Sequence, residues 1–460
     1  MLRTSALLQL VLAGILWANP VAQRPTPQAS SFAGSTVTFA FPPPNITASF
    51  PDPNFPDKTQ VGFPGPTPTG DEAFAIETAP AIAFVNNIDP IIRPSDFDKP
   101  GSFDIVRSWG NLSPWYSFPA GTFGLPKSSP VVPEGCAIKQ VHILHRHGAR
   151  YPAGGAGPAA FAAKLHEAAT GAGFSATGPL EFLNTWTFKL GEEILTPLGR
   201  GELYMLGVNA RVRYGGLLKG FANLPVWRTT SQGNLQFSAG FFGVQHHTTS
   251  YHQLIEIEKS AFEEFNSTLA SFGQCPNILQ NYVLSAGHST KWANEYTKKT
   301  IERLQKNLKG VQLTPNDIIN MQEACAYESV ALGYSIFCIL FVKKEWESFQ
   351  YYNGKYLPHS FLPYLLFWYA FGPGGPATNA LGVGYVQEFM SRLTQTRITT
   401  FDTTVNATIV SSNITFPLDQ PIYVDATHDG MMTAVALALN ITMLSQDGTL
   451  PDDKILKNRV

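Results

Sequence analysis

Ile138-Lys139-Gln140-Val141-His142-Ile143-Leu144-His145-Arg146-His147-Gly148-Ala149-Arg150-Tyr151-Pro152 decides how this chain is read. Its first half is a short apolar run of Ile, Val and Leu, which predicts a buried strand, and the run breaks at Gly148 and Pro152. Two arginines and a histidine are thereby concentrated in the turn that leaves the strand. In open α/β sheets, ligands bind in the crevice at the carboxyl ends of the strands. Arg146 and Arg150 offer planar forks of donors that match phosphate or carboxylate. His147, between them, offers an imidazole nitrogen able to attack phosphorus, and a phosphate neutralised by arginine is the better electrophile. A solvated basic turn has the same composition, so a second motif must decide.

That motif lies near the other end. Pro421-Ile422-Tyr423-Val424-Asp425-Ala426 predicts a strand, followed by Thr427-His428-Asp429-Gly430 and a helical run from Met431 to Leu439. The geometry repeats: buried strand, polar turn, helix. His428 can donate to a phosphate oxygen, and Asp429 can protonate a leaving alcohol. A His-Asp pair alone means little. At a strand–helix junction, in a chain that already carries Arg-His-Gly-x-Arg-x-Pro, it completes a phosphoryl-transfer set. No metal and no cofactor is expected. In His142-x-x-His145-x-His147 a strand sends position 142 to the opposite face from 145 and 147, and His246, His247 and His252 have no carboxylate or thiolate at ligand spacing.

The 460 residues suffice for one large domain or two ordinary ones. A net charge of −2 argues against nucleic acid or an anionic membrane as the main partner. Only 14% of residues are charged, with 35 prolines and 39 glycines, the mix of a secreted, loop-rich protein. Residues 1–22 read as a signal peptide: Arg3, an apolar core from Ala6 to Trp17, and Ala18 or Ala22 as the cleavage position. That core is too short for a membrane anchor. Sequons at Asn45, Asn266, Asn406, Asn413 and Asn440, with a poorer one at Asn111, agree with export and N-glycosylation. Of the four cysteines, Cys325 and Cys338 are near enough to close a small loop, leaving Cys136 and Cys275 to pair or stay free.

Residues 23–101 are rich in Pro, Ser, Thr, Ala and Gly without sustained periodicity and read as an extended leader. Beyond them, helices are expected around Phe161 to Ala169 and from Thr196 to Tyr214, and a strand from Leu224 to Thr230. The stretch from Phe241 to Asn307 is expected to be mostly helical, as is Asp317 to Trp346; the aromatic segment Phe349 to Phe371 reads as core, and Val386 to Leu393 as a helix.

Leu144 to Pro152, taken with Thr427-His428-Asp429, resembles the histidine acid phosphatase family in its secreted fungal phytase branch. Trp109-Gly110-Asn111-Leu112-Ser113-Pro114, Leu195-Thr196-Pro197-Leu198-Gly199, Arg228-Thr229-Thr230, Cys325-Ala326-Tyr327-Glu328, Phe337-Cys338 and Glu345-Trp346 continue the likeness, which covers residues 102–460. The resemblance implies that His147 is the nucleophile, that Arg146, Arg150 and His428 hold the phosphoryl oxygens, and that Asp429 is the general acid. It implies a small-molecule phosphomonoester substrate, with phytate a candidate. The implied fold is α/β: a doubly wound, phosphoglycerate-mutase-like sheet domain with a smaller inserted helical domain, the insertion lying roughly within 155–350.

Two departures qualify that expectation. The family usually places a further arginine after Arg-Thr-Thr-Ser-Gln, whereas here Ser231-Gln232 runs into Gly233-Asn234-Leu235. Losing one charge-assisted donor costs ~1.5–3 kcal/mol of binding, or on the order of 10²–10³ in rate if it acts on the transition state. The family also continues past the His-Asp helix into a strand and a tail with two more cysteines. By resemblance Cys136 and Cys275 would pair with that tail, and Cys325 with Cys338. A catalytically weakened secreted relative that binds anions is therefore the competing reading; an intracellular phosphotransferase of the phosphoglycerate-mutase type sits poorly with the signal peptide.

Overall fold

A run such as Val141–Arg146 can sit inside a protein only if neighbouring strands pair its backbone N–H and C=O groups. The computed structural model, which describes residues 103–116, 131–153, 157–230, 233–256, 258, 266–353, 365–441 and 449–455, shows that pairing. Strands β1 (Val141–Arg146), β2 (Val226–Thr229), β3 (His252–Ile255) and β4 (Ile422–Thr427) form a four-stranded sheet in the order β1-β4-β2-β3. All neighbours are parallel. The signal-peptide stretch 1–22, the leader 23–101 and Asn45 lie outside the described residues.

Parallel neighbours require crossovers, and helices supply them. Helices α1 (Pro158–Thr170) and α2 (Pro197–Tyr214) lead from β1 to β2, and α3 (Gly233–Phe242) leads from β2 to β3. Between β3 and β4 the chain passes through α4 (Ile278–Tyr296), α5 (Pro315–Leu332), α6 (Lys343–Asn353) and α7 (Thr378–Thr394), and α8 (Asp429–Ala438) follows β4. Side chains alternate across the strands. Ile143, Trp227, Ile422 and Val424 meet Phe237 and Phe241 of α3 on one face, while Leu144 meets Tyr385 of α7 and Val435 of α8 on the other. Helices thus cover both faces, as a doubly wound sheet demands. The last strand enters between β1 and β2, which makes the carboxyl ends of β1 and β4 adjacent.

One expectation fails in the middle of the chain. His252 opens β3 instead of lying in helical material, and among the described residues the next α-helix begins at Ile278. β3 is a four-residue edge strand, partly exposed along its length, so it lacks the alternation that would reveal it.

A separate helical core draws on Phe161, Leu165, Leu180, Met321, Phe337 and Trp346. Helix α5 starts with a capping box between Thr314 and Asp317, with Pro315 in its first turn, and ends at Gly333 in the left-handed region. A disulfide joins Cys325 to Cys338, with Cα atoms 4.8 Å apart; Cys136 and Cys275 are unpaired.

Beneath the sheet on the α7 side lies a buried ionic cluster. Arg228 stands opposite Asp425 in the β2–β4 register and donates to it through Nε at 2.8 Å. Its Nη1 lies 3.0 Å from Glu256 and 2.8 Å from Glu388, and Arg392 donates to Asp425 from the far side at 2.5 Å. Burial would raise the Asp425 carboxyl, but Arg228 and Arg392 outweigh it and hold the group well below the carboxylate range. Glu256 goes the other way: burial, with Glu388 and Asp425 nearby, pushes it up to about 7 despite Arg228.

Two outcomes follow. Arg228→Met, which leaves buried carboxylates without their cation, should cost about 3–5 kcal/mol in equilibrium denaturant unfolding. Because Glu256 is raised from 4.5 to about 7 in the fold, its contribution is fully present below pH 4.5 and lost as the pH rises through 7. Glu256→Gln should therefore show a smaller loss of stability than the parent chain between those values. The comparison isolates Glu256 from His142 and His147, which burial depresses and which act in the opposite sense.

Candidate active site

Register carries the two sequence motifs to one place. Arg146 stands opposite Thr427, so the next residues, His147 and His428, leave the sheet side by side. The His147 N–H donates to the Thr427 carbonyl at 3.2 Å, and the two imidazole centroids are 5.5 Å apart.

The turn after β1 is seated on the first turn of α2. A Cβ on Gly148 would lie 2.1 Å from the Gly199 carbonyl oxygen, and one on Gly199 would lie 1.9 Å from that of Ala149. Only glycine permits this backbone-to-backbone contact. Thr196 caps α2, accepting from Gly199 N–H at 3.1 Å and donating through Oγ1 to the Ala149 carbonyl at 3.0 Å. Glu202, one turn further, accepts from Ala149 N–H at 2.6 Å and Trp115 N–H at 2.7 Å. These contacts explain the Leu-Thr-Pro-Leu-Gly motif as the cradle of the catalytic turn.

His147 is held as a neutral imidazole. Its Nδ1 lies 2.8 Å from the Gly148 carbonyl, an acceptor, so Nδ1 carries the proton and Nε2 keeps its lone pair. Burial, followed by the charges of Arg150 and Arg146, lowers its pKa to about 3, against opposing pulls from Asp429 and the Gly148 carbonyl. Arg146 is held by the Asn111 carbonyl at 2.7 Å and lies 3.4 Å from Asp429 Oδ2. Arg150 reaches Glu193 at 3.0 Å on an open rim. Asp429 opens α8, and its Oδ1 accepts from Gly430 N–H at 2.9 Å, so it stands at the positive end of that helix.

The cleft between these groups encloses about 330 Å³, with Phe272, Tyr327 and Phe371 in its walls. Arg146, His147, Arg150, His428 and Asp429, all read from sequence, line it together. The cleft has no third arginine among the described residues, and residues 231–232 lie outside them. Arg228 cannot serve, being spent on the carboxylates under the sheet.

Glu258 was not anticipated. Its Oε1 lies 2.7 Å from His428 Nε2, one of the two ring nitrogens through which that residue could donate to phosphate. Burial favours its neutral form, but the hydrogen bond and charge of His428, a hydrogen bond from Thr230 and the charge of Arg150 outweigh that and draw it below the ordinary carboxylate value. The signal was its place just past β3, the strand the sequence concealed. Other motif residues are structural. Glu328 accepts from Trp186 Nε1 at 2.9 Å and Ser335 Oγ at 2.6 Å, and Glu345 accepts from Arg303 at 2.8 Å.

Among the sequons, Asn413 and Asn440 are exposed. Asn406 instead caps a short helix and donates to the Asn266 carbonyl at 2.9 Å, and Asn266 Nδ2 points to the Val405 carbonyl at 3.5 Å.

A parallel sheet whose adjacent strand ends present Arg-His-Gly-x-Arg and His-Asp defines a histidine-type phosphohydrolase. The chain belongs to the histidine phosphatase superfamily (branch 2), whose family model matches residues 137–457. It is 28% identical over 354 residues to Phytase A of Aspergillus oryzae, covering 73% of this chain and 71% of that one. It is 30% identical over 368 residues to Phytase A of Aspergillus terreus, covering 76% and 72%. Its fold matches the phytase from D. castellii with a TM-score of 0.57 at 22% identity, over 80% of this chain and 77% of that one. The Bifidobacterium longum multiple inositol polyphosphate phosphatase, solved with inositol hexasulfate, matches with a TM-score of 0.51 at 11% identity, over 76% and 83%.

Gly199→Ala tests the seat of the turn. Forcing a methyl into a filled contact should cost about 1–3 kcal/mol, read as a lowered Tm. Displacement of His147 should also lower hydrolytic activity, measured at a temperature where the variant remains folded.

Proposed function

We propose that this protein is a secreted phosphomonoesterase that works through a phosphohistidine on His147. The observation that carries the reading is His147 itself: buried, fixed through Nδ1, and neutral at acidic pH with Nε2 free between two arginines. Arg146 and Arg150 draw charge from the phosphoryl oxygens as Nε2 attacks phosphorus. The bond to the ester oxygen breaks, and Asp429 delivers a proton to the departing alcohol. In the second step Asp429, now a carboxylate, takes a proton from water, whose oxygen attacks the phosphohistidine and releases phosphate with His147 restored. Phytate is the substrate suggested by the names of the relatives. Residues 1–22 act in this reading as the export signal, 23–101 as a leader, and 102–460 as the enzyme, glycosylated at sequons such as Asn413 and Asn440.

A second reading, an anion-binding relative with weakened catalysis, is favoured by the cleft, which holds two arginines among the described residues. It predicts stabilisation by phosphate without turnover.

Phosphate release from a simple aryl phosphate at acidic pH decides between them. Parent chain should turn over, His147→Ala should not, and Asp429→Asn should lose about 10²–10⁴-fold in rate. With His147 depressed to about 3, the acid limb of kcat/KM assigned to this group should fall near pH 3 and not near 6.5. Equal inertness of parent and His147→Ala would sink the enzymatic reading.

A further inference from the structure

Arg146, Arg150 and His428 each already face a carboxylate. Arg146 stands 3.4 Å from Asp429, Arg150 3.0 Å from Glu193, and His428 2.7 Å from Glu258. The three pairs are not equivalent. Asp429 is needed as the proton donor. Glu193 lies on the rim with more than half of its side chain exposed, where an ion pair is worth little and yields to a better ligand. Glu258, with 38% of its side chain exposed, lines the cleft, engages Nε2 of His428, one of the two nitrogens that could donate to phosphate, and is also hydrogen-bonded by Thr230.

The geometry points to Glu258 as a specificity-determining residue: an internal carboxylate that competes with the phosphoryl group for His428 and so limits affinity for anions. This rests on the phosphatase reading of the cleft and goes beyond it. A phosphoryl group that enters must either displace Glu258 from His428 or bind without that donor. In both cases it meets the negative charge of a carboxylate that lines the same cleft as His147. The groups that face Glu258 are His428 at the start of α8, Thr230 at the end of β2 and Arg150 in the turn after β1, with Arg146 and Asp429 across the cleft. Glu258 thus selects for ligands whose remaining contacts repay that repulsion, and inorganic phosphate, which has none, should bind weakly.

The test measures inorganic phosphate binding, by ligand-dependent thermal shift and by competitive inhibition of aryl phosphate hydrolysis, near pH 5. Glu258→Gln keeps the hydrogen bond to His428 but removes the charge, and Glu258→Ala removes both. Both should bind phosphate tighter than the parent, Glu258→Gln on the order of tenfold, with KM for the aryl phosphate falling more than kcat changes. A purely supporting role for Glu258 predicts the reverse, weaker binding in both variants. Phosphate affinities within twofold of the parent, or weaker, overturn the proposal while leaving the phosphatase reading intact. No binding to parent but clear binding to the variants supports it. No binding to any of the three also overturns the proposal, and the phosphatase reading falls with it only if the parent fails to hydrolyse the aryl phosphate as well.

Discussion

Asp425 is the residue on which the geometry of this protein turns. It sits in the middle of β4 with Leu144 opposite it on β1 and Arg228 opposite it on β2, and its carboxylate is held by two buried guanidiniums on the α7 side. A one-residue slip of β4 would turn that carboxylate to the face occupied by Phe237 and Phe241, where it would have no cation. The ion pair therefore specifies register as much as it stabilises. Register in turn sets His428 beside His147, because both follow the last paired residues of their strands. The chemistry at the strand ends is dictated by a charge buried below it.

The site above that anchor balances charges closely. Two arginines and burial keep the His147 ring neutral, and the same arginines offer forks of donors that match a phosphate. Carboxylates offset them on every side. The cleft is thus a field of paired charges into which an anion must insert, in contrast to an open basic pocket waiting for one.

How much of this the sequence disclosed depended on the kind of signal. β1 carries the apolar run Val141, Ile143 and Leu144 and β4 the run Ile422, Tyr423 and Val424, so both strands and the turns beyond them were readable, and with them His147, His428, Asp429 and the arginines. α2 was readable from its cap and periodicity, but not the reason for Gly199, which lies in a contact with a distant turn. β3 was hidden because a short edge strand has little pattern, and Glu258 was hidden with it. Arg228 was read as part of a motif, yet its role beneath the sheet depends on Asp425, Glu256 and Glu388, which arrive from three separate segments. Local patterns announce elements; pairings between remote side chains do not announce themselves.

The contact between Gly148 and Gly199 has a consequence for how such a chain can diverge. A side chain on Gly148 would collide with the Gly199 backbone and one on Gly199 with the backbone of Ala149, the residue after Gly148, and Gly199 itself does not line the cleft. As the surrounding residues drift over generations, the two must be inherited as one unit, although they stand 51 positions apart in the chain. A lineage that replaced either would have to rebuild the seat of the nucleophile before it could use the nucleophile again.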